Sequence, residues 1–535
     1  MTTTHIEQQT KFEGPGVFDP GGLRRLPGVS EVREEKPEEL DAVHYDTADL
    51  RLLAHGITLR RRTGGHEEGW HVKLPGGRGE HREVHAPLRA GKAGHVPGEL
   101  NRHLKAYTRG AELLPVVHLR THRTRHLLLD KQGRALAEVA QDRVAAQVLG
   151  TERLRPAARG SGKGGARNGA AAAEPAAGGN STQLVHWSEI EVEKDQGDDK
   201  LMRAAARLLE DGGWYPSPSA HKLDHALAGE LPPEFGDLGP RRLPGAGSAG
   251  EAVMNRLADQ LAVLLATDAA VRADEADAVH RMRSTSRRLR SLLRGSRRVL
   301  DRKRTDPVAG ELRWLTGVLA GSRDHEVLGA RLKEQARGIG DKVLARRIAA
   351  QEAERHRAGQ QDALAALDSP RYHALLDALE DLRAEPPLRK GKAAEPAARH
   401  LREVATRDRR RLARRMDAAG RAGSGPARDK ALHEARKAAR RARHTAETAL
   451  PYGGRKAARL RKRTRAVQEV LGDHQDAVMA RAALPELAAE ARETGADTYG
   501  YGRLRALQDE FARAARRRLP AVWQRAGDPK LARFD

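Results

Sequence analysis

Two stretches in the second half of the chain carry the same pattern of histidine and arginine. His280 is followed by Arg283, Arg287, Arg288 and Arg290, and His433 by Arg436, Arg440, Arg441 and Arg443. The offsets from each His are +3, +7, +8 and +10 in both copies. Steps of three and four residues place side chains on one face of a helix. At about 100° per residue, Arg283, Arg287, Arg290, Arg294 and Arg298 fall within roughly 80° of His280. Met282, Leu289, Leu292, Leu293 and Leu300 fall on the opposite side. Each copy therefore predicts a helix with one apolar face and one stripe of guanidinium groups led by a His. A motif cluster follows each copy, Arg323-Asp324-His325-Glu326 in the first and Asp473-His474-Gln475-Asp476 in the second. A Pro-containing break from Ala384 to Ala398 separates the two, so the pattern predicts a repeat over 251–383 and 399–525.

Charge divides the chain in the same way. Residues 1–230 hold 33 basic and 32 acidic side chains, whereas residues 231–535 hold 64 and 41. Net charge bears on partners rather than on fold, so the basic half points to a polyanion or an anionic surface. A stripe of arginines is costly in isolation, because like charges at i,i+4 repel. Acidic residues on neighbouring helices would neutralise it, or the stripe would be a solvated face. Two copies with matching offsets favour a third reading, a cationic track for phosphate oxygens spaced along a chain. Aromatic residues make up 3% of the chain, which argues against base-stacking modules for single-stranded nucleic acid. The stripe has no Asn or Gln to read base edges, so nucleic acid is disfavoured as the partner.

Val279-His280-Arg281-Met282-Arg283, Arg287-Arg288-Leu289-Arg290 and Ser322-Arg323-Asp324-His325-Glu326 resemble the CHAD domain, the conserved histidine α-helical domain. Leu432-His433-Glu434-Ala435-Arg436-Lys437 and Leu471-Gly472-Asp473-His474-Gln475-Asp476 resemble it as well. The resemblance implies two pseudo-symmetric helical bundles over 251–535 that bind inorganic polyphosphate in a basic groove. The residues it assigns to the polymer are His280, Arg283, Arg287, Arg290, Arg294, His325, His433, Arg436, Arg440, Arg443 and His474.

The first half follows a different period. Thr58 to Arg62, Trp70 to Leu74, Arg123 to Leu129 and Leu184 to Lys194 alternate, and Gly, Pro and Asp clusters separate them. Alternation puts every second side chain on one face of a strand. Arg60 and Arg62 share a face, as do His71 and Lys73, then Arg123 and Arg125. Glu189, Glu191 and Glu193 share another, and Glu7, Gln9 and Lys11 a further one. Such strands predict charged groups projecting into one space, although a wet sheet face would show the same pattern. Carboxylates take Mg²⁺ or Mn²⁺ through oxygen, while arginines hold phosphate oxygens. Both signs together suit phosphoryl transfer. Ala157 to Asn180 is Ala/Gly-rich and predicts a loop at 157–180, a helix is predicted near 198–212, and 229–250 is rich in Pro and Gly and reads as a linker.

This half resembles the CYTH superfamily of triphosphate tunnel metalloenzymes. The matching segments include Ile6-Glu7-Gln8-Gln9-Thr10-Lys11, Tyr45-Asp46-Thr47, Thr58-Leu59-Arg60-Arg61-Arg62, Trp70-His71-Val72-Lys73, Arg123-Thr124-Arg125 and Glu189-Ile190-Glu191-Val192-Glu193. The resemblance implies an eight-stranded antiparallel β-barrel over 1–228. It also implies a Glu-x-Glu-x-Lys motif on the first strand. Here Glu7 and Lys11 are present, but Gln9 replaces the second Glu. The family roles assign Glu7, Gln9 and Lys11 to catalysis, and Arg60, Arg62, Lys73, Arg123, Arg125 and Lys222 to phosphates. Glu7, Glu138, Glu189 and Glu191 are the implied ligands of Mg²⁺ or Mn²⁺.

The fold class expected is therefore α+β, a barrel followed by an all-α unit. The function expected is inorganic triphosphate or polyphosphate hydrolysis in the barrel, with polyphosphate binding by the helices. The alternative is a binding protein whose barrel has lost turnover through Gln9. The chain has no cysteine, which excludes disulfide and thiolate chemistry and fits a reducing compartment. No apolar run approaches the roughly 18–20 residues that span a bilayer. The polar stretch from Met1 to Lys11 has no signal-peptide core. A cytoplasmic location, associated with polyphosphate granules, is the matching expectation.

Overall fold

A computed structural model describes residues 3–14, 18–75, 80–90, 95–149, 184–219, 221–232 and 235–532, with backbone alone at 3–8, 80–81 and 322–324. The side chain of Glu7 and the loop expected at 157–180 lie outside the described residues. Contacts divide the chain into two units, Met1–Leu238 and Gly239–Asp535.

The first unit is an antiparallel sheet of ten strands among the described residues. They are β1 (Thr3–Glu13), β2 (Glu31–Glu34), β3 (Glu38–Asp46), β4 (Thr58–Thr63), β5 (Gly69–Pro75), β6 (Glu80–Ala86), β7 (Leu114–Leu129), β8 (Ala135–Val148), β9 (Leu184–Lys194) and β10 (Tyr215–Pro216). Neighbours run β10-β1-β6-β5-β4-β3-β7-β8-β9, and β2 pairs with β7. The first part of β1 pairs with β6, and its second part, Gln9 to Glu13, pairs with β9. Ten strands are two more than the expected eight. The two short ones, β2 and β10, lie beside β7 and β1 where no alternating run is long enough to announce a strand.

Among the described residues, four α-helices accompany the sheet: α1 (Arg51–Ala54), α2 (Gly98–Thr108), α3 (Asp199–Asp211) and α4 (Lys222–Leu227). The strands separate their side chains by parity. Phe12, Val139, Ile190 and Val192 are buried on the face opposite to Lys11, Glu138, Glu189 and Glu191. They pack against Leu201, Ala205 and Leu209 of α3, which stand one turn apart along one helix face. Burying each leucine contributes about 1.5–3 kcal/mol. Asp198 starts α3 by accepting a hydrogen bond from the Leu201 amide at 2.8 Å. Leu223, Ala226 and Leu227 of α4 pack with Val117, Leu119, Val144 and Ala146 of β7 and β8. Those four share parity with Arg123 and Asp142, so α4 is anchored on the charged side of the sheet. The turn after β4 needs glycine at position 64, where φ is +81° and a Cβ would stand 2.1 Å from the Glu39 carbonyl oxygen.

The second unit is helical: α5 (Ala249–Arg272), α6 (Ala278–Gly295), α7 (Arg302–Val318), α8 (Ala320–Gly338), α9 (Lys342–Leu367), α10 (Pro370–Ala384), α11 (Lys390–Ala393), α12 (Ala397–Arg421), α13 (Pro426–Thr448), α14 (Leu450–Glu493) and α15 (Tyr499–Ala526). The two His/Arg stripes lie on α6 and α13. Met282, Leu289, Leu292 and Leu293 of α6 are buried as the periodicity predicts. The helix ends at Gly295, so Arg298 leaves the stripe and its Nη1 pairs with Glu403 at 2.6 Å. Helix α13 buries Leu432, Ala435, Ala438 and Ala439 against Leu412 and Met416 of α12, Val467, Val470 and Leu471 of α14, and Ala515 and Leu519 of α15. Among the described residues, no helix is long and apolar enough to cross a membrane.

Candidate functional sites

The β unit gathers its charged residues into one network. Lys222 Nζ lies 2.9 Å from Asp142 Oδ2, 2.5 Å from Glu189 Oε1 and 2.8 Å from Glu191 Oε1. Lys11 Nζ lies 2.8 Å from the same Glu191 oxygen. Arg123 donates to both oxygens of Asp142 at 2.6–2.7 Å and to Glu191 Oε2 at 2.6 Å. Asp142, Glu189 and Glu191 bring one oxygen each within 4.8 Å of one another, the spacing of a metal site. Glu189 Oε2 accepts from the Trp187 indole at 2.7 Å, which turns Oε1 toward Lys222. That Oε1 is buried and, among the described residues, makes no hydrogen bond of good geometry, so it is an oxygen suited to a cation. Three carboxylate oxygens are the donors that Mg²⁺ and Mn²⁺ prefer, so this set fits the implied metal.

Electrostatics follow from the pairing. Burial works to raise the Glu191 and Asp142 carboxyls. Lys11, Lys222 and Arg123 overcome it at Glu191, and Arg123 and Lys222 at Asp142, so both pKa values fall, that of Glu191 well below the carboxylate range. Burial likewise opposes the Lys222 charge, but Asp142, Glu189 and Glu191 hold the ammonium protonated and raise its pKa.

The remaining expected residues lie around this centre. Glu138 stands apart from the carboxylate cluster: it faces Arg125 at 3.4 Å, and burial raises its pKa against the pull of Arg125. Asp142 takes its place in the cluster. Alternation from Glu138 through Ala140 reaches Asp142 on the same face, which is the signal that could have found it. Arg125 also meets Glu38 at 3.4 Å. Arg62 is bound by Glu67, and its pKa is pushed down to about 10 by burial and Arg60, against Glu67. Arg60, His71 and Lys73 all approach Glu83, at 3.8, 2.8 and 3.5 Å. Gln9 sits opposite Glu193 across the β1–β9 ladder. His44, opposite Arg60, is 4% exposed, and among the described residues both its ring nitrogens lack hydrogen-bond partners.

The helical unit contains a groove of about 970 Å³. His280, Arg283, Arg287, Arg290, Arg294, His433, Arg436, Arg440 and Arg443 all line it, so α6 and α13 face one space. Arg331 of α8 and Arg411 and Arg415 of α12 join them, as do Arg441 and His444. Among the described residues, Arg290, Arg294, Arg436 and Arg440 have no carboxylate within ion-pair distance. The buried Nε atoms of Arg290 and Arg436 make no hydrogen bond among the same residues. Burial and the neighbouring Arg436, Arg283 and Arg443 push the Arg440 guanidinium down to about 10. His433 Nδ1 donates to Gln475 Oε1 at 2.7 Å, which leaves Nε2 as its remaining polar atom. His325 and His474 are not in the lining. His325 is held by Glu352 at 3.0 Å, and His474 is buried against Asp429 at 3.3 Å.

The chain matches the CYTH domain over residues 23–212 and the CHAD domain over residues 255–485. It is 34% identical over 524 residues to the uncharacterized protein Rv2226 of Mycobacterium tuberculosis, covering 97% of this chain and 96% of that one. This chain belongs to the CYTH–CHAD family. Two solved structures are similar to part of it. PptA from Streptomyces chartreusis is 24% identical with a TM-score of 0.44, covering 52% of this chain and 99% of that one. The CHAD domain from the plant Ricinus communis is 26% identical with a TM-score of 0.42, covering 52% and 92%. The matched CYTH segment contains Asp142, Glu189 and Glu191, whereas β1 precedes it and α4 follows it. The matched CHAD segment contains α6 and α13, the two helices of the CYTH–CHAD chain that carry the His/Arg stripes.

Proposed function

We propose that this CYTH–CHAD protein hydrolyses the terminal phosphoanhydride of tripolyphosphate or of polyphosphate ends in its β unit and grips long polyphosphate in its helical unit. The observation that carries the hydrolytic half is the cluster of Asp142, Glu189 and Glu191 ringed by Lys11, Arg123 and Lys222. We read the pairing of β1 with both β6 and β9 as closing eight strands into the tunnel of that family, with β2 and β10 as additions. The domain limits we adopt are 1–228, a linker at 229–250, and 251–535 with two pseudo-symmetric halves.

Asp142, Glu189 and Glu191 would hold Mg²⁺ or Mn²⁺, and Glu7 is a further ligand by its place in the strand motif. When bound, the cation would supply positive charge that offsets the charge developing during phosphoryl transfer. Arg60, Arg62, Lys73, Arg123 and Arg125 bind the phosphate chain, exchanging their present carboxylate partners for phosphate oxygens. Lys11 and Lys222 bind at the carboxylate end. Gln9 offers an amide where the family has a carboxylate, so it orients water or metal without adding charge. In the helical unit, four arginines without carboxylate partners among the described residues supply the anion requirement, and polyphosphate supplies anions at regular spacing without bases to stack. The protein would act in the cytoplasm, at polyphosphate granules.

Phosphate release from tripolyphosphate, ATP and thiamine triphosphate with Mg²⁺ or Mn²⁺ tests the hydrolytic reading. Release from tripolyphosphate above background is expected, and none with either metal would refute it. Gln9 supports a second reading, in which both units only bind polyphosphate. Polyphosphate outcompeting DNA for the groove at about 0.15 M salt tests the ligand, since purely electrostatic binding falls steeply with salt.

A further inference from the structure

Lys222 occupies the centre of the three-carboxylate cluster. Its ammonium lies within 2.5–2.9 Å of one oxygen from each of Asp142, Glu189 and Glu191. Three carboxylates are thereby matched by three side-chain cations, because Lys11 and Arg123 hold the remaining reach of Glu191 and Asp142. The group is 10% exposed and arises from the first residue of α4, whose Leu223, Ala226 and Leu227 are fixed on the sheet. The backbone is therefore anchored, while the four-carbon stem has the rotatable bonds to move the ammonium once its ion pairs are broken. A divalent cation and this ammonium need the same oxygens, and like charges at that separation repel strongly in a buried site.

We propose that Lys222 is a tethered counter-ion for the carboxylate cluster. It neutralises the site before substrate arrives and must leave when a divalent cation enters. The phosphate chain gives it a new partner, so metal and phosphate load cooperatively while either one alone loads poorly. The proposal rests on the reading of the cluster as a metal site. It concerns the order of loading, which that reading leaves open.

Mn²⁺ binding without phosphate, followed by the electron paramagnetic resonance of free Mn²⁺, tests it on the full-length protein. Lys222→Met removes the ammonium, and Lys222→Gln keeps a polar tip without charge. Both are expected to bind Mn²⁺ about tenfold tighter or more, as removal of one opposing unit charge at close range implies. Equal or weaker binding by folded variants would overturn the proposal and leave the metal reading standing. No Mn²⁺ binding by wild type or either variant would overturn both. Should neither variant fold, the wild type still decides: the ¹⁵N-labelled lysine ammonium signals are followed while Mg²⁺ is added. Displacement predicts that a slowly exchanging, ion-paired signal is lost at saturating Mg²⁺, and its persistence would overturn the proposal.

Discussion

Arg440 offers a test in which binding and stability must move in opposite directions. It sits on α13 beside Arg436, Arg283 and Arg443, with no carboxylate in ion-pair range among the described residues. Burial and those neighbours push its pKa down to about 10, roughly 2.5 below a free guanidinium. At 1.36 kcal/mol per unit, the charge is disfavoured in the folded protein by about 3 kcal/mol. Both values lie above neutrality, so the full cost is carried at pH 7 and is relieved only as the pH passes 10. Replacing the charge with an adaptable apolar side chain, Arg440→Met, removes that cost and keeps much of the volume. Without polyphosphate, the helical unit is expected to gain about 1–3 kcal/mol after relaxation. With polyphosphate, the variant loses a charge-assisted hydrogen bond of about 1.5–3 kcal/mol, or about 10- to 150-fold in affinity. Denaturant unfolding followed by helical ellipticity, with and without polyphosphate, reads the first quantity. Calorimetric titration at fixed salt reads the second. A variant that is less stable without ligand yet binds polyphosphate like wild type would refute the reasoning, because Arg440 would then be a structural residue.

Gln9→Glu places a carboxylate opposite Glu193, whose pKa burial already raises, so a lower melting temperature without metal is expected; recovery with Mn²⁺, together with faster phosphate release, would mark Gln9 as the limit on turnover, and unchanged release would exclude it. His400 is buried and pushed down to about 4 by burial and Arg407, so its neutral form is favoured in the fold. Its contribution is full above about 6.5 and is lost as pH falls from there toward 4, at up to about 1.4 kcal/mol per pH unit; thermal melts should show that slope flattened in His400→Leu, and an unchanged slope would show that other groups dominate. Arg294→Ala should weaken polyphosphate binding and reduce the slope of log affinity against log salt by about 0.7, the single-strand value per phosphate contact; an identical slope would place Arg294 off the polymer.

Much of this architecture was legible because both repeating patterns are local. Parity alone put Arg60 with Arg62 and Glu189 with Glu191, and a helical step put Arg283, Arg287, Arg290 and Arg294 on one stripe. Sequence could not say what would meet those groups across space. Asp142 joins Glu189 and Glu191 because β8 pairs with β9 in a register that sets Asp142 opposite Glu189. Lys222 reaches them because α4 packs on β7 and β8, a contact that local periodicity does not encode. Glu83 and Glu67 neutralise arginines from neighbouring strands and turns, and no motif marks them. Arg331, Arg411 and Arg415 enter the groove from α8 and α12, helices that carry no His/Arg stripe. His325 and His474 illustrate the converse, since a matching motif led toward the groove while Glu352 and Asp429 hold these rings elsewhere.

The two sites use the same residue types under opposite electrostatic rules. In the β unit each cation of the carboxylate centre has a carboxylate within 2.9 Å, so the site is neutral before anything binds. A phosphate chain arriving alone must break those pairs and leave buried carboxylates exposed to its own charge, which is costly. On the proposed reading, a divalent cation arriving with it would satisfy the carboxylates and free Arg123 and the two lysines, so the pairing predicts selectivity for a metal-bound phosphate. In the helical unit, Arg290, Arg294, Arg436 and Arg440 have no such partners among the described residues. A polyanion there gains attraction without breaking ion pairs at those four positions, and it relieves the repulsion that lowers the Arg440 pKa. Binding in the groove should therefore need no metal, whereas binding in the β unit should depend on one. EDTA should abolish tripolyphosphate protection of the β unit while leaving polyphosphate stabilisation of the helical unit intact. Equal loss in both units would mean that the groove, too, recognises its polymer through a bridging cation.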